Sequence, residues 1–186
     1  MQLTITKSNI DTFRAQLSPG ITSITWQAGA LDPAILSTFP DLVELTCSSN
    51  FITDLDALIA CPYLQILDCS WNLLKTLAGI QYCPCLRVLD CSWNALTSIQ
   101  DLAGCLMLEH LTCWKNDLRT LAGLEGCQHL TMINCQKNEL TTLSNLATCS
   151  ALEVLICAWN RLTTVEPIST LTHLHTVESR GNDFTH

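Results

Sequence analysis

Residues 64–85 read LQILDCSWNLLKTLAGIQYCPC, and residues 86–107 read LRVLDCSWNALTSIQDLAGCLM. Laid one above the other, they carry Leu, Leu, Cys and Asn at the same places. The asparagine recurs at Asn50, Asn72, Asn94, Asn116, Asn138, Asn160 and Asn182, always 22 residues apart. A fixed period of roughly 20 to 50 residues marks a solenoid, in which each repeat is one structural unit stacked on the next.

Other columns keep this register. With Leu42 as repeat position 1, position 4 is Leu45, Leu67, Leu89, Leu111, Ile133, Leu155 and Val177, and position 6 is Cys47, Cys69, Cys91, Cys113, Cys135 and Cys157, then Ser179. Positions 11, 14 and 17 are apolar, as in Leu74, Leu77 and Ile80, and position 20 is Cys61, Cys83, Cys105, Cys127 and Cys149, then Leu171. Two periods live inside the unit. Positions 4 and 6 alternate by two, as a strand buried on one face does. Positions 11, 14, 17 and 20 step by three, which suits 3₁₀ turns better than a long α-helix. One strand and one tight return per repeat close a coil with an apolar inside, and stacked coils set their strands in one parallel sheet.

The unit L-x-x-L-x-C-x-x-N-x-L resembles the leucine-rich repeat, with Cys in place of the third Leu. Its length and its three-step return resemble the internalin-like and SDS22-like branches. The resemblance implies an α/β solenoid with a parallel β-sheet on its concave face and 3₁₀ or turn segments on its convex face. It covers residues 42–186 fully and 21–41 loosely. Leucine-rich repeat proteins commonly bind ligands on the concave face, so the resemblance also implies a non-catalytic protein- or peptide-binding scaffold.

The expected organisation is one structural domain. Residues 1–20 form an N-terminal cap, 21–41 a degenerate first repeat, 42–173 the regular repeats and 174–186 a partial last repeat. Within the cap, Leu3 to Thr6 alternates like a strand, and Ser8 with Asp11 reads as a helix N-cap opening a short helix from Ser8 to Leu17. The chain stops part-way through a repeat, so either it continues in nature or something packs on that end. Self-association as a homodimer through the uncapped C-terminal coil is therefore the structural alternative to a binding scaffold.

Composition narrows the partners. The net charge is −8 with a pI near 4.9, and the nine Lys and Arg form no cluster. That argues against nucleic acid or an anionic membrane as partner. No apolar run could span a bilayer, and no secretory h-region opens the chain, so the expected location is intracellular. The resemblance extends to repeat proteins of intracellular bacteria and large viruses, which would place the chain in host-cell cytoplasm.

Twelve cysteines invite a redox or metal-thiol reading. Eleven fall in the two ladder columns, however, without the short C-x₂₋₄-C spacing of metal sites. They are expected to be reduced and structural, with Cys85 on a turn the one to react. No metal or other cofactor is implied, and no Ser-His-Asp, Cys-His or phosphate-loop pattern points to an enzyme.

What remains are positions 3, 5, 7 and 8, which the strand alternation turns away from the core. Position 8 carries Trp71, Trp93, Lys115, Lys137 and Trp159, and position 7 adds Trp114. Position 5 contributes Asp68 and Asp90, and position 3 contributes His110 and Met132. The repeat needs none of these four tryptophans, and Trp71 and Trp93 should lie side by side in adjacent coils. Exposed aromatic residues dominate binding surfaces. The competing reading is that an indole folds over the Asn bend and shields the core edge. A concave face of about 500 Å² falls below the roughly 800 Å² per partner of a standard interface. It suits a peptide or a weak protein partner.

Overall fold

A computed structural model describes residues 2–13 and 19–184. Nine strands, β1 (Gln2–Thr6), β2 (Ser23–Gln27), β3 (Glu44–Thr46), β4 (Ile66–Asp68), β5 (Val88–Asp90), β6 (His110–Thr112), β7 (Met132–Asn134), β8 (Val154–Ile156) and β9 (Thr176–Glu178), form one parallel sheet in chain order. Like repeat positions pair across every regular junction, as in Leu45 with Leu67 and Leu67 with Leu89. The side-chain period of two makes this register compulsory, since a one-residue slip would turn the Leu and Cys columns outward.

The returns follow the three-step pattern. They carry 3₁₀ turns at Asp56–Ala60, Ile80–Tyr82, Gln100–Gly104, Ser144–Leu146 and Glu166–Ile168. The first return instead holds a short helix, α1 (Pro33–Leu36), capped by Asp32, whose carboxylate accepts the Ala34 N–H at 2.9 Å. Between β6 and β7 the chain turns without a helix, and Gly123 takes φ 110° there. A Cβ on Gly123 would meet the Ile99 carbonyl oxygen at 2.6 Å, so the coil closes only because that position has no side chain.

Both interior columns are apolar and closed to solvent. Leu67, Leu74, Leu77, Ile80 and their equivalents in the preceding and following coils are buried, as are the eleven ladder cysteines, until the C-terminal end, where Val165 and Val177 are exposed. Trp26 is fully buried where later repeats have Cys, and its Nε1–H donates to the Gly29 carbonyl at 3.0 Å. The fifth tryptophan is therefore core.

The asparagine column closes the strand-to-return bend. Nδ2 of Asn116 donates to the carbonyls of Cys91 and Cys113, each at 3.1 Å, and its Oδ1 accepts the Leu96 N–H at 3.0 Å. Asn72, Asn94, Asn138 and Asn160 repeat the pattern. Each side chain thus satisfies backbone groups of two coils that would otherwise be buried unpaired.

The cap differs from its expected form. β1 pairs in parallel with β2 and extends the main sheet. The turn after it is built by Asn9, not Ser8. Asn9 Oδ1 accepts the Thr6 N–H at 2.7 Å, and Nδ2 donates to the Thr4 carbonyl at 3.0 Å. Ser8 instead shares a hydrogen bond with the Thr6 hydroxyl. The segment that follows is a single 3₁₀ turn, Ile10–Phe13, and the rest of the expected helix lies outside the described residues. Among the described residues no helix is long and apolar enough to cross a membrane.

Candidate functional site: a tryptophan edge

The hydrogen-bond ladder of the sheet does not stop at the strand ends. The position-8 N–H donates to the position-7 carbonyl of the next coil, from Trp71 to Ser92 at 2.9 Å and from Trp93 to Trp114 at 3.0 Å. To make that bond and turn toward the Asn bend, position 8 adopts the left-handed region in every regular repeat. φ is 60° at Ser49, 54° at Trp71, 51° at Trp93, 58° at Lys115, 53° at Lys137, 57° at Trp159 and 69° at Gly181. A bulky residue there is uncommon and costs on the order of 1–3 kcal/mol. Three repeats nevertheless hold tryptophan at that site, so something other than backbone preference keeps it there.

The indoles form one contiguous system. Trp71 and Trp93 stack with centroids 3.9 Å apart and planes 11° from parallel. Trp114, at position 7, meets Trp93 edge-on at 5.3 Å and 82°. Lysines continue the row. Lys115 Nζ lies 5.9 Å from the Trp93 ring centroid, and Lys137 Nζ lies 5.7 Å from that of Trp114. Such cation–π contacts contribute roughly 0.5–1 kcal/mol each at exposed sites. Trp159 stands apart and leans over Gly181, where a Cβ would meet its ring at 2.6 Å.

Exposure separates the members. Trp71 is 53% exposed and Trp159 52%, while Trp93 and Trp114 are half-buried. Trp93 Nε1 is buried with no hydrogen-bond partner among the described residues, as is the Ser92 hydroxyl. Each such group costs about 1–3 kcal/mol, so Trp93 is held by its ring contacts and not by its N–H. Trp93 and Trp114 are thus the half-buried pair, and Trp71 and Trp159 the open ones.

Two features of this edge were not anticipated. Position 10 is not a bland turn, because Phe51 is 80% exposed and Leu73 52%. The Leu73 N–H donates to the Ile52 carbonyl at 2.9 Å, which sets these residues in adjacent coils beside the Trp71 stack. Their signal was present in the sequence, where a column that is charged from Asp117 to Asp183 opens with Phe and Leu. Position 7, expected to be displayed, is buried at Ser70, Ser92 and Ala158. The left-handed turn at position 8 carries the chain over these short side chains.

Asp68 and Asp90 are paired in register on β4 and β5. Asp68 Oδ1 accepts the Ser70 N–H at 3.0 Å and its hydroxyl at 2.6 Å. Asp90 Oδ1 accepts the Ser92 N–H at 2.9 Å. Burial pushes the Asp90 carboxyl up from its ordinary value, the bond from Ser92 opposes this, and the neighbouring Asp68 charge adds to the push. Among the described residues neither carboxylate forms an ion pair. His110 and Met132 pair in register on β6 and β7. They lie on the strand floor rather than on the edge.

Chemistry at the thiols is suppressed. All twelve cysteines are free. Burial pushes Cys61 and Cys83 up to about 12 and Cys105, Cys149 and Cys157 up to about 11. The other six ladder thiols are raised as well, also mainly by burial. Cys85 alone is partly exposed. Among the described residues no three His, Cys, Asp or Glu side chains are grouped to hold a metal ion.

No family profile and no curated protein matches this sequence. Solved structures do. Internalin C2 from Listeria monocytogenes superposes with a TM-score of 0.79 at 24% identity, over 98% of this chain and 77% of that one. A second L. monocytogenes internalin, internalin F, gives 0.81 at 18% identity, over 100% and 53%. A leucine-rich repeat protein of Leptospira interrogans gives 0.83 at 20% identity, over 98% and 53%. The chain thus spans about three quarters of the first and about half of the other two. At these identities the likeness is one of fold, and the fold is the leucine-rich repeat solenoid.

Proposed function

We propose that this chain is a non-catalytic module that binds a protein or peptide along its tryptophan edge. The observation that carries the reading is the open Trp71–Trp93 stack beside exposed Phe51 and Leu73. Four large apolar side chains gathered on one ridge of a rigid ladder make the kind of patch that marks contact sites. Backbone hydrogen bonds at positions 8 and 10 also fix where Trp71, Trp93 and Leu73 leave the main chain. A partner therefore orders little on the module's side, which favours affinity from a small surface. Such a surface suits a peptide or a projecting loop. The twelve unpaired thiols suit a reducing compartment, in keeping with an intracellular role.

The double variant W71A/W93A tests the reading. Alanine needs no new backbone geometry at either position, so the circular dichroism spectrum and the urea midpoint should stay near wild type. Capture of the partner from cell lysate should be lost. A double variant that unfolds would show that the stack serves as a structural lid, and one that folds and still captures its partner would remove the edge from the binding site.

A further inference from the structure

The position-8 row contains its own example of what it binds. Each half-buried indole has a cation set against it, Lys115 with Trp93 and Lys137 with Trp114. Trp71 is the exception. One of its faces is covered by Trp93, yet half of its surface stays open, and among the described residues no other ring or cation lies against it. The neighbouring position 8 in the preceding coil is Ser49, too short to reach across. The stack therefore ends in an open slot one strand spacing wide, about 4.8 Å, bordered by exposed Phe51. The same end of the sheet carries uncompensated negative charge. Asp68 and Asp90 sit side by side, each using Oδ1 for the backbone bond, and among the described residues no donor reaches either Oδ2. Asp68 is bonded to Ser70, the residue preceding Trp71.

We propose that this slot receives an arginine side chain of the partner, the guanidinium lying on the outer face of Trp71 with its N–H groups directed at Asp68, whose charge Asp90 on the next strand reinforces. The assignment rests on the edge being the binding surface, and it names the chemistry that completes it. A planar, weakly hydrated cation matches both halves of the slot, since it stacks on an indole and forks onto a carboxylate. A lysine ammonium could do only one of these well. Lys7, which follows β1, lines the hollow beside Ser49 and Phe51 at the outer rim of the slot, but among the described residues no lysine lies against the Trp71 ring. A net charge of −8 favours a basic partner at long range as well.

The experiment uses the pentapeptide acetyl-Gly-Gly-Arg-Gly-Gly-amide, its citrulline analogue and its phenylalanine analogue, titrated into the ¹⁵N-labelled protein. The Trp71 indole N–H resonance, assigned with W71F, should shift saturably with the arginine peptide and at least roughly tenfold more weakly with citrulline, which keeps the shape and loses the charge. D68N/D90N should weaken binding by a similar factor without unfolding the protein, because Asn134 already makes the same bond at position 5, to the Gln136 N–H. S49K, which places a lysine where Lys115 and Lys137 stand in other coils, should fill the slot and abolish the shift. The proposal is overturned by equal binding of citrulline and arginine, by binding that survives S49K, or by no saturable shift. If the phenylalanine peptide alone shifts Trp71, the edge remains a contact surface and the arginine assignment fails. If W71A/W93A folds and still captures the partner, the edge reading itself fails.

Discussion

Asn116 shows how much one side chain carries in this fold. It joins three backbone groups from two coils at 3.0–3.1 Å while nearly excluded from water. N116A would leave the Leu96 N–H without a partner and take one of two donors from each of the Cys91 and Cys113 carbonyls, which keep Asn94 and Asn138. At about 1–3 kcal/mol for the unsatisfied N–H and about 0.5–1.5 kcal/mol for each shared bond lost, the loss should be at least about 2 kcal/mol. Urea denaturation checks it, and a variant within about 1 kcal/mol of wild type would mean that water replaces the amide. A second outcome concerns thiols. With a maleimide at pH 8, Cys85 should label within minutes in the native state, and the ladder cysteines only as the protein unfolds, read by mass spectrometry. More than one fast label would contradict the buried columns. The asparagine and cysteine roles were legible in the sequence because one residue type fills one column. The role of Phe51 was not, because a single exposed ring breaks no periodic pattern. Only its left-handed φ of 64° and its place beside Leu73 bring it to the tryptophans.

At the scale of the element, strand and return differ in how far sequence fixes them. The strands read directly, since a period of two with Leu and Cys inward admits one register. The bends did not, because the left-handed turn at position 8 buries position 7 where alternation displays it, and hydrophobic patterning carries no information on the sign of φ. That turn is also why Trp71 reaches past the strand floor to the edge, away from His110 and Met132. The returns depend on small residues at specific places. Gly123 has φ 110°, and its missing Cβ leaves room for the Ile99 carbonyl and for Gln100 Cα, which a Cβ would meet at 2.7 Å. G123A should therefore destabilise the protein by about 2–4 kcal/mol through backbone strain and displacement of the preceding coil. By contrast, G104A, where a Cβ meets nothing within 4 Å and φ is not positive, should be close to neutral. Equal urea midpoints for the two variants would show that the return can shift to admit a methyl group.

On the scale of the whole molecule, the two cysteine columns make stability a function of pH. Every ladder thiol is raised above its ordinary value of 9.0 by burial. The folded state therefore keeps these protons at a pH where the unfolded chain has released them. Stability is full below about pH 9 and declines as pH rises toward the folded values of about 11 to 12. One unit above the unfolded value, each thiol favours unfolding by about 1.4 kcal/mol. Eleven thiols acting in parallel then rival the roughly 5–15 kcal/mol that holds a domain together. With a reductant present, the urea midpoint should fall steeply above about pH 9, and the fold should be lost near pH 10 without denaturant. Replacing Cys69, Cys91 and Cys113 by alanine would remove three of the thiols. It should flatten the decline and move alkaline unfolding to higher pH, even though the cavities lower stability at pH 7. Circular dichroism against pH separates the two effects. An unchanged alkaline midpoint in the triple variant would mean that the thiols do not set the limit.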